Sequence, residues 1–342
     1  MPALQIPLPL VLFAKIMESE LAPVEWVIEP VIAKGDRVII YGEYGSMKSW
    51  LLLDMGLHIA AGEHWLNQFK VPSPARVLYL DEEMNSRTLQ RRIRRLGIER
   101  NFRASDIPFA HLSQVGITFN ADGAGQLLEA LNQSQFDPDI IIIETLRRVI
   151  VGSENEAESV GAFWRNLQPL RVSGKTIIIS HHMRKPNPNG WDDNRHRASG
   201  STDILAGADS GFAVMRKGNA LQVQCVKSRE AEEVKPFLVA FQEGQGNERP
   251  ISMQFESFNE TSNAQRPESQ VEKANRLIQD YVSRTTERHA ATEEILAYLS
   301  GFGITERTAQ RTLSRIQLLS RGKIYKESKG VWAVTEPSSE EQ

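Results

Sequence analysis

The 342-residue sequence contains a single cysteine, Cys225, which excludes both disulfide bonds and metal sites built from several cysteines. This scarcity favours a reducing, cytoplasmic setting. The net charge is also small, −3, with an isoelectric point near 6.2. The chain is therefore not basic as a whole, and any binding to nucleic acid requires a local basic patch.

Long hydrophobic runs are also lacking. Residues 3–14 are apolar, but they include Pro7 and Pro9 and have no basic segment before them. A run of this length is too short to cross a bilayer, so we expect neither a signal peptide nor a membrane segment. The total length leaves room for one large domain and one small domain.

The apolar run VIIYG at residues 38–42 leads into a glycine-rich polar loop, and a helical pattern follows. This order is typical of a phosphate-binding loop, because backbone N–H groups and a helix N-terminus then meet one anion. Lys48 is placed to reach the β- and γ-phosphates of ATP, and Ser49 to hold Mg²⁺. The loop residues expected to contact the nucleotide are Gly42, Gly45, Ser46, Met47, Lys48 and Ser49.

Met47 stands where the usual phosphate-loop pattern has glycine. A side chain is acceptable there unless the backbone must adopt a positive φ. The alternative interpretation is an ordinary Gly/Ser turn before an amphipathic helix.

Near-continuous apolar runs separated by helical stretches predict a parallel sheet covered on both faces, an α/β fold. These runs are VIIYG (38–42), VLYLD (77–81), IPFAHL (107–112), IIIIE (140–144) and TIIIS (176–180). Three alternating runs follow and predict an antiparallel edge on the parallel core: FAVMR, LQVQCVK and FLVAFQ.

The domain prediction places the α/β core at residues 22–256, after an N-terminal segment, 1–21, that packs on the core or on a neighbouring subunit. Residues 257–270 are polar and aperiodic, which is typical of a linker. Residues 271–335 predict three helices and a basic hairpin, and we expect the tail 336–342 to be disordered.

Carboxylates end two of the predicted strands. Glu144 ends IIIIE, where an acid would contact Mg²⁺ directly or through water. Asp81, Glu82 and Glu83 end VLYLD, where a carboxylate would activate a water in line with the γ-phosphate. The alternative for these three is an exposed acidic turn that caps the next helix.

His181 and His182 follow the run TIIIS, where a histidine would sense the γ-phosphate by hydrogen bonding. Paired histidines also suggest a metal site, but no cysteine cluster or spaced set of carboxylates supports zinc.

Cations flank or interrupt the polar stretch NPNGWDDNRHRASGST, which would face DNA or a neighbouring subunit; a solvated mobile loop is the alternative. Lys227 and Arg229 lie two residues apart at the end of a strand, so both side chains are on the same side of it. Two cations in this arrangement would complete the phosphate site of a neighbouring subunit. The candidate DNA-binding residues of the polar stretch are Arg184, Lys185, Arg195 and Arg197.

Taken in order, these motifs resemble those of the RecA-like P-loop ATPases of the hexameric replicative helicase group, particularly the RepA-type proteins of plasmids and phages. The resemblance spans roughly residues 22–245. It rests on VEWVIEPVIAKGDRVIIYGEYGSMKS, VLYLDEE, DIIIIETL, IISHHMRK, GSTDILAGAD and LQVQCVKSR.

The resemblance implies a role for each strand-end residue. Glu82 matches the catalytic glutamate, with Glu83 as its nearest rival, and Glu144 matches the Walker-B acid. One of His181 and His182 matches the histidine that ends the fourth strand. The K-x-R pair, Lys227 and Arg229, would reach the nucleotide of the adjacent subunit. The resemblance thus implies a homo-oligomer, a ring or a filament with active sites at subunit interfaces. As a ring it would be a hexamer with single-stranded DNA through its centre.

The segment ITERTAQRTLSRI, residues 304–316, predicts a helix beginning at Thr305, with Ile304, Leu313 and Ile316 facing a core. With the basic hairpin behind it, the module resembles a winged helix, which would bind duplex DNA through the helix and hairpin. A solvated charged face or a protein-docking winged helix is the alternative. The candidate contacts are Arg307, Arg311, Arg315, Lys323 and Lys326.

The leading functional hypothesis is an ATP-hydrolysing, DNA-acting motor that uses ATP and Mg²⁺. The second is a nucleotide-switched DNA-binding adaptor that hydrolyses ATP slowly or not at all, which Met47 and Glu144 favour. A small-molecule kinase is a third reading, against which the basic module and the lack of an evident lid sequence count.

Overall fold

The computed structural model describes residues 11–20, 22–100, 107–184, 197–198, 200–245, 249–259, 270–285, 289–318, 324–328 and 330–334. The described chain divides into two compact units, which separate in sequence near residue 260. Each unit has its own apolar core.

The first unit consists of helices and strands that largely alternate. Its helices are α1 (Phe13–Glu18), α2 (Lys48–Ala61), α3 (Ser86–Arg100), α4 (Gly123–Gln133), α5 (Leu146–Val149), α6 (Ala157–Asn166), α7 (Gln168–Val172) and α8 (Asp203–Gly207). Its strands are β1 (Trp26–Ile28), β2 (Ile32–Ala33), β3 (Arg37–Gly42), β4 (Val77–Asp81), β5 (Phe109–Ser113), β6 (Ile140–Glu144), β7 (Thr176–His182), β8 (Ser210–Lys217), β9 (Ala220–Lys227), β10 (Phe237–Glu243) and β11 (Ile251–Phe258).

Nine of these strands form one sheet in the order β11-β10-β9-β8-β3-β7-β6-β4-β5. The six strands from β8 to β5 are parallel, and β9, β10 and β11 add an antiparallel edge. Alternate residues of each parallel strand pack into two separate cores, one with α2 and α3 and the other with α4, α6 and α7. The predicted α/β fold is therefore confirmed.

The apolar strands bring their polar ends to one edge of the sheet. All four isoleucines of β6 are buried, as β-branched residues of a sheet covered on both faces should be. In register, Asp81 lies opposite Glu144, and Gly42 lies opposite His182. The carboxyl ends of parallel strands are where open α/β sheets bind ligands, so this edge carries the candidate site.

Two parts of the strand prediction were wrong. The run FAVMR lies in β8, which is parallel to β3, so the antiparallel edge begins only at β9. Helix α8 precedes β8 and brings the chain back across the sheet, so that β8 pairs parallel with β3. The alternation of residues within β8 does not reveal the direction of this pairing. Strand β11 was not predicted, and it extends into the expected linker as far as Phe258.

The N-terminal segment does not pack on the core over its described part. No residue of α1 is buried, and Phe13 is 76% exposed. Residues 11–20 thus leave packing on a neighbouring subunit as the prediction that stands, and residues 1–10 and 21 lie outside the described residues. Among the described residues, no helix combines the length and apolar character that crossing a membrane requires.

The second unit consists of α9 (Gln270–Arg284), β12 (His289–Ala291), α10 (Thr292–Ser300), α11 (Glu306–Leu318), β13 (Ile324–Ser328) and β14 (Val331–Val334). The strands form an antiparallel sheet in the order β12-β14-β13. Thr305 accepts a hydrogen bond from the N–H of Thr308 at 3.4 Å, and Ile304 and Leu313 are buried as predicted. Strand β12 was not predicted.

Candidate functional site

The loop between β3 and α2 has close backbone contacts that require glycine. A Cβ atom on Gly42 would lie 2.3 Å from the carbonyl oxygen of Val214, so no larger residue fits there. Gly45 has φ +75°, in the left-handed region that glycine adopts without strain. The hydroxyl of Ser46 is buried and has no hydrogen-bond partner within the described chain. An anion in this loop would supply that partner.

Met47 occupies the position where a left-handed backbone is required. Its φ is +61°, which L-residues with side chains seldom adopt. The Met47 side chain packs against the apolar core around α2. This contact offsets part of the backbone strain and holds the start of α2.

We expect Met47→Gly and Met47→Ile to differ in stability. Glycine loses the side-chain contact but relieves the backbone strain, so its free energy of unfolding should stay within about 1 kcal/mol of the parent. Isoleucine is β-branched and should lower stability by a further ~1–2 kcal/mol. Urea unfolding of both variants measures the difference. Equal stabilities would contradict a strained Met47.

Lys48 is oriented over the phosphate loop. Its ammonium group donates hydrogen bonds to the carbonyl oxygens of Gly42, at 3.1 Å, and Glu43, at 3.2 Å. Burial lowers the pKa of Lys48, while the nearby Glu144 and Glu83 carboxylates act in the opposite direction. A positive charge held in a partly buried loop is well suited to bind phosphate.

Glu144 is buried at the centre of the strand-end edge. Its carboxylate accepts hydrogen bonds from the hydroxyls of Ser49 (3.2 Å), Ser180 (2.8 Å) and Tyr79 (3.1 Å). Burial raises the pKa of Glu144 to about 7. The hydroxyl of Ser49 and the Glu144 carboxylate form a pair of oxygen donors, which is the chemistry that Mg²⁺ prefers. These residues therefore fit the predicted magnesium site.

The three acids at the end of β4 have three different positions. Asp81 is buried and accepts hydrogen bonds from the N–H groups of Glu83 (2.8 Å) and Met84 (2.7 Å), which fixes the turn. The carboxylate of Glu82 accepts hydrogen bonds from the N–H groups of Gly116 (3.0 Å) and Ile117 (3.2 Å). Glu83, in contrast, lines the cavity beside the phosphate loop. The geometry thus favours Glu83 over Glu82 as the residue that faces a bound nucleotide.

The two histidines point to opposite faces of the sheet. His181 is fully buried, on the strand face that carries Ile177 and Ile179 into the α4–α7 core. His182 is half-buried and lines the cavity. Burial lowers the pKa of His182, and the Lys48 charge acts in the same direction. His182 is therefore the histidine placed to contact a nucleotide.

These side chains surround one cavity of about 300 Å³. Four of its residues were absent from the predicted site residues. Tyr44 and Trp50 had a local signal, because Tyr44 lies within the phosphate loop and Trp50 directly follows Ser49. Met84 lies in the turn that follows β4, and Arg92 reaches the cavity from α3. The lining residues are Tyr44, Gly45, Ser46, Met47, Lys48, Ser49, Trp50, Glu83, Met84, Arg92, Glu144 and His182.

Lys227 and Arg229 do not reach the cavity of their own chain. Lys227 lies opposite Gly211 in the sheet, near the start of β8 and therefore near the edge opposite the phosphate loop. Its ammonium donates to the carbonyl oxygens at the end of α8, and Arg229 pairs with Asp209 at 2.8 Å. Burial and the Arg229 charge lower the pKa of Lys227.

The prediction that Arg197 contacts DNA needs correction. Its side chain is only 9% exposed, and its guanidinium forms an ion pair with Glu43 of the phosphate loop at 2.6 Å. Arg184 is exposed, and its N–H donates to the carbonyl oxygen of Arg197. Lys185 and Arg195 lie outside the described residues.

In the second unit, Arg307 and Arg311 are exposed one turn apart on α11. Arg315 continues the same helix, and Lys326 lies in β13. Lys323 lies outside the described residues. The described part of the predicted basic surface thus includes two exposed arginines on one helical face.

Comparisons with known proteins identify a family for this chain. Residues 2–188 match the family AAA_25, an AAA domain, and no curated protein matches the chain. A KaiC-like protein from the hyperthermophilic archaeon Pyrococcus horikoshii OT3 is 15% identical over 66% of this chain and 93% of its own, with a TM-score of 0.44. The RadB recombinase is 13% identical over 64% of this chain and 90% of its own, with a TM-score of 0.44. A DnaB-like replicative helicase is 13% identical over 64% of this chain and 57% of its own, with a TM-score of 0.45. Because the family match covers more than half of its length, the chain belongs to the AAA domain family AAA_25.

Proposed function

We propose that this chain binds ATP with Mg²⁺, hydrolyses it at a subunit interface and uses the turnover to act on DNA, as a RepA-type replicative helicase does. One observation carries the proposal. A single cavity brings together the phosphate-loop lysine, the Ser49–Glu144 donor pair, Glu83 and His182. A phosphate-binding loop alone would only bind, whereas an acid facing the same cavity adds a base for hydrolysis.

In the proposed reaction, a water oxygen attacks the γ-phosphorus, and the bond from that phosphorus to the bridging oxygen breaks. ADP leaves with the bridging oxygen, and the water proton passes to Glu83. Lys48 neutralises charge on the β- and γ-phosphates, and His182 donates a hydrogen bond to the γ-phosphate. Ser49 and Glu144 would hold Mg²⁺, which would supply positive charge to the phosphate oxygens when bound.

The position of the K-x-R pair supports an oligomer. Lys227 and Arg229 lie near the sheet edge opposite their own phosphate loop. Register places Lys227 about three residues from the loop end of the strands, roughly 10 Å along the strand axis. These cations would therefore serve the nucleotide of a neighbour, in a head-to-tail contact that closes into a ring. The resemblance to hexameric helicases implies that this ring is a hexamer.

The second unit is proposed to be a winged helix that binds duplex DNA. Its order of helix, strand, helix, helix and hairpin is the order of that fold, with α11 in the position of the recognition helix. Arg307 and Arg311 would contact the duplex from the exposed face of α11. Single-stranded DNA would pass through the ring, with Arg184 among its contacts.

A nucleotide-switched adaptor is the second candidate, and two observations favour it. Met47 strains the phosphate loop at φ +61°, and three hydroxyls already satisfy the Glu144 carboxylate. Both features would slow turnover without preventing ATP binding.

ATP hydrolysis by the purified chain, with and without single-stranded DNA, distinguishes the two candidates. We expect turnover that DNA stimulates and that Lys48→Ala abolishes, because the lysine neutralises the transferred phosphate. Tight ATP binding without turnover under either condition would favour the adaptor. Absence of ATP binding would contradict both.

A further inference from the structure

Trp50 and Arg92 line the nucleotide cavity, yet the proposed reaction gives neither a role. Trp50 directly follows Ser49 at the start of α2. Two guanidinium groups from α3 stack on its ring: the Cζ of Arg92 lies 4.9 Å from the ring centroid, and that of Arg95 lies 5.3 Å from it. An arginine at this distance from an indole is held by cation–π attraction.

The two arginines differ in their other contacts. Arg95 donates hydrogen bonds to the carbonyl oxygen of Arg249 at 2.7 Å and to the carboxylate of Glu243 at 2.5 Å. Within the described chain, the one directional contact of Arg92 is with the Trp50 ring. The guanidinium of Arg92 thus keeps its donors available at the cavity, whereas Arg95 is tied to the antiparallel edge of the sheet.

Arg92 lines the same cavity as Glu83, the acid proposed to accept the water proton. It is in α3, the helix that follows the acidic turn of Asp81 and Glu83. Burial raises the pKa of Asp81 and of Tyr79, and the positive charge of Arg92 partly opposes this rise. Tyr79 in turn donates to Glu144, the predicted metal ligand. Arg92 is therefore near the acidic turn, and it lines the same cavity as Glu83 and Glu144.

We propose that Arg92 is a catalytic residue supplied by the same subunit as the phosphate loop. Its guanidinium leaves the Trp50 ring when ATP binds and donates hydrogen bonds to γ-phosphate oxygens, where negative charge is redistributed in the transition state. Trp50 is a positioning residue that holds Arg92 at the cavity before the nucleotide arrives. This inference rests on the proposed ATP hydrolysis, and it adds a cation from within the subunit to the pair contributed by the neighbour.

Arg92→Ala and Arg95→Ala form a matched pair, because each removes one guanidinium from the same indole ring. We expect Arg92→Ala to lower kcat by about 10²-fold or more, with the KM for ATP changed only a few-fold. Arg95→Ala should keep kcat within about threefold of the parent, because Arg95 does not line the cavity. Arg92→Gln serves as a second variant, whose longer side chain preserves more of the packing of α3.

Trp50 also supplies a readout that does not require turnover. ATP with Mg²⁺ should change the tryptophan emission of the parent and of Arg95→Ala, because Arg92 leaves the ring. Arg92→Ala and Arg92→Gln should lose this change, and Trp50→Phe should identify it among the six tryptophans of the chain.

Equal kcat values for the Arg92 and Arg95 variants would overturn the proposal, as would a loss confined to KM. If the parent binds ATP without hydrolysing it, the proposed function fails. The emission change still tests the movement of Arg92 in that case, so the two failures can be told apart. If the emission change persists in Arg92→Gln, it does not come from Arg92 leaving the Trp50 ring, and the proposed movement of Arg92 is wrong.

Discussion

Glu83→Gln should lower ATP turnover by about 10²–10⁴-fold, because glutamine cannot accept the proton of the attacking water. ATP binding should persist, since Lys48 and the loop N–H groups are unchanged. Phosphate release measures turnover, and titration with a fluorescent ATP analogue measures binding. Glu83 is chosen because its side chain lines the cavity.

Glu82→Gln is the matched control, one residue away and chemically identical. The Glu82 carboxylate accepts hydrogen bonds from the N–H groups of Gly116 and Ile117, so the substitution weakens a loop contact outside the cavity. Its turnover should remain within about threefold of the parent. The opposite ranking, with Glu82→Gln inactive and Glu83→Gln active, would mean that the acidic turn rearranges when ATP binds.

The sequence predicted the strands and their edge because the physical signal is local. Runs such as IIIIE are apolar on both faces, which only a strand covered by helices on both sides accommodates. Their polar last residues then had to gather at one edge, where the structure places Glu144 and His182. The glycine-rich loop was also predicted from a local signal. The sequence left open whether the backbone at Met47 has a positive φ, and the structure shows that it does.

The choice between adjacent residues was beyond the sequence. Alternation along β7 places His181 and His182 on opposite faces of the sheet. Because both faces of β7 carry apolar residues, the sequence does not show which face is next to the cavity. After β4 the chain turns, and alternation no longer applies to Glu82 and Glu83. Only the packing of the turn against Gly116 and Ile117 separates these two acids.

Contacts between distant segments were also missed. Arg197 lies in a stretch whose composition is typical of a solvated loop, yet its partner Glu43 belongs to the phosphate loop. Arg92 belongs to a helix rich in arginine, and nothing in its spacing distinguishes it from Arg95. Its position follows from how α3 packs beside Trp50. Such pairs depend on tertiary structure rather than on local pattern.

A mixture of Lys48→Ala and Arg229→Ala subunits should hydrolyse ATP although each variant alone is inactive. If Arg229 acts on the neighbour's nucleotide, its loss should lower kcat by roughly 10³-fold or more. In the mixture, an Arg229→Ala subunit with an intact phosphate loop can lie beside a Lys48→Ala subunit with an intact Arg229. Random head-to-tail assembly makes about a quarter of the interfaces complete.

The structure indicates that Arg229→Ala should leave the fold intact. Asp209, the partner of Arg229, also pairs with Arg37, at 3.2 Å, so its carboxylate stays compensated when Arg229 is removed. Arg229 is itself half-exposed, which limits the packing that the substitution removes. A loss of turnover would then reflect the missing cation rather than unfolding.

Mixing Lys48→Ala with Arg92→Ala provides the control for this experiment. Both residues belong to the cavity of one chain, so every interface in that mixture lacks one of them, and no turnover should return. Recovery with Arg229→Ala but not with Arg92→Ala would assign one cation to the neighbour and one to the subunit itself. Failure of the Arg229 mixture, in oligomers shown to contain both variants, would remove the argument for a site shared between subunits. The distance of Lys227 and Arg229 from their own phosphate loop would then have to reflect a structural role in holding the end of α8.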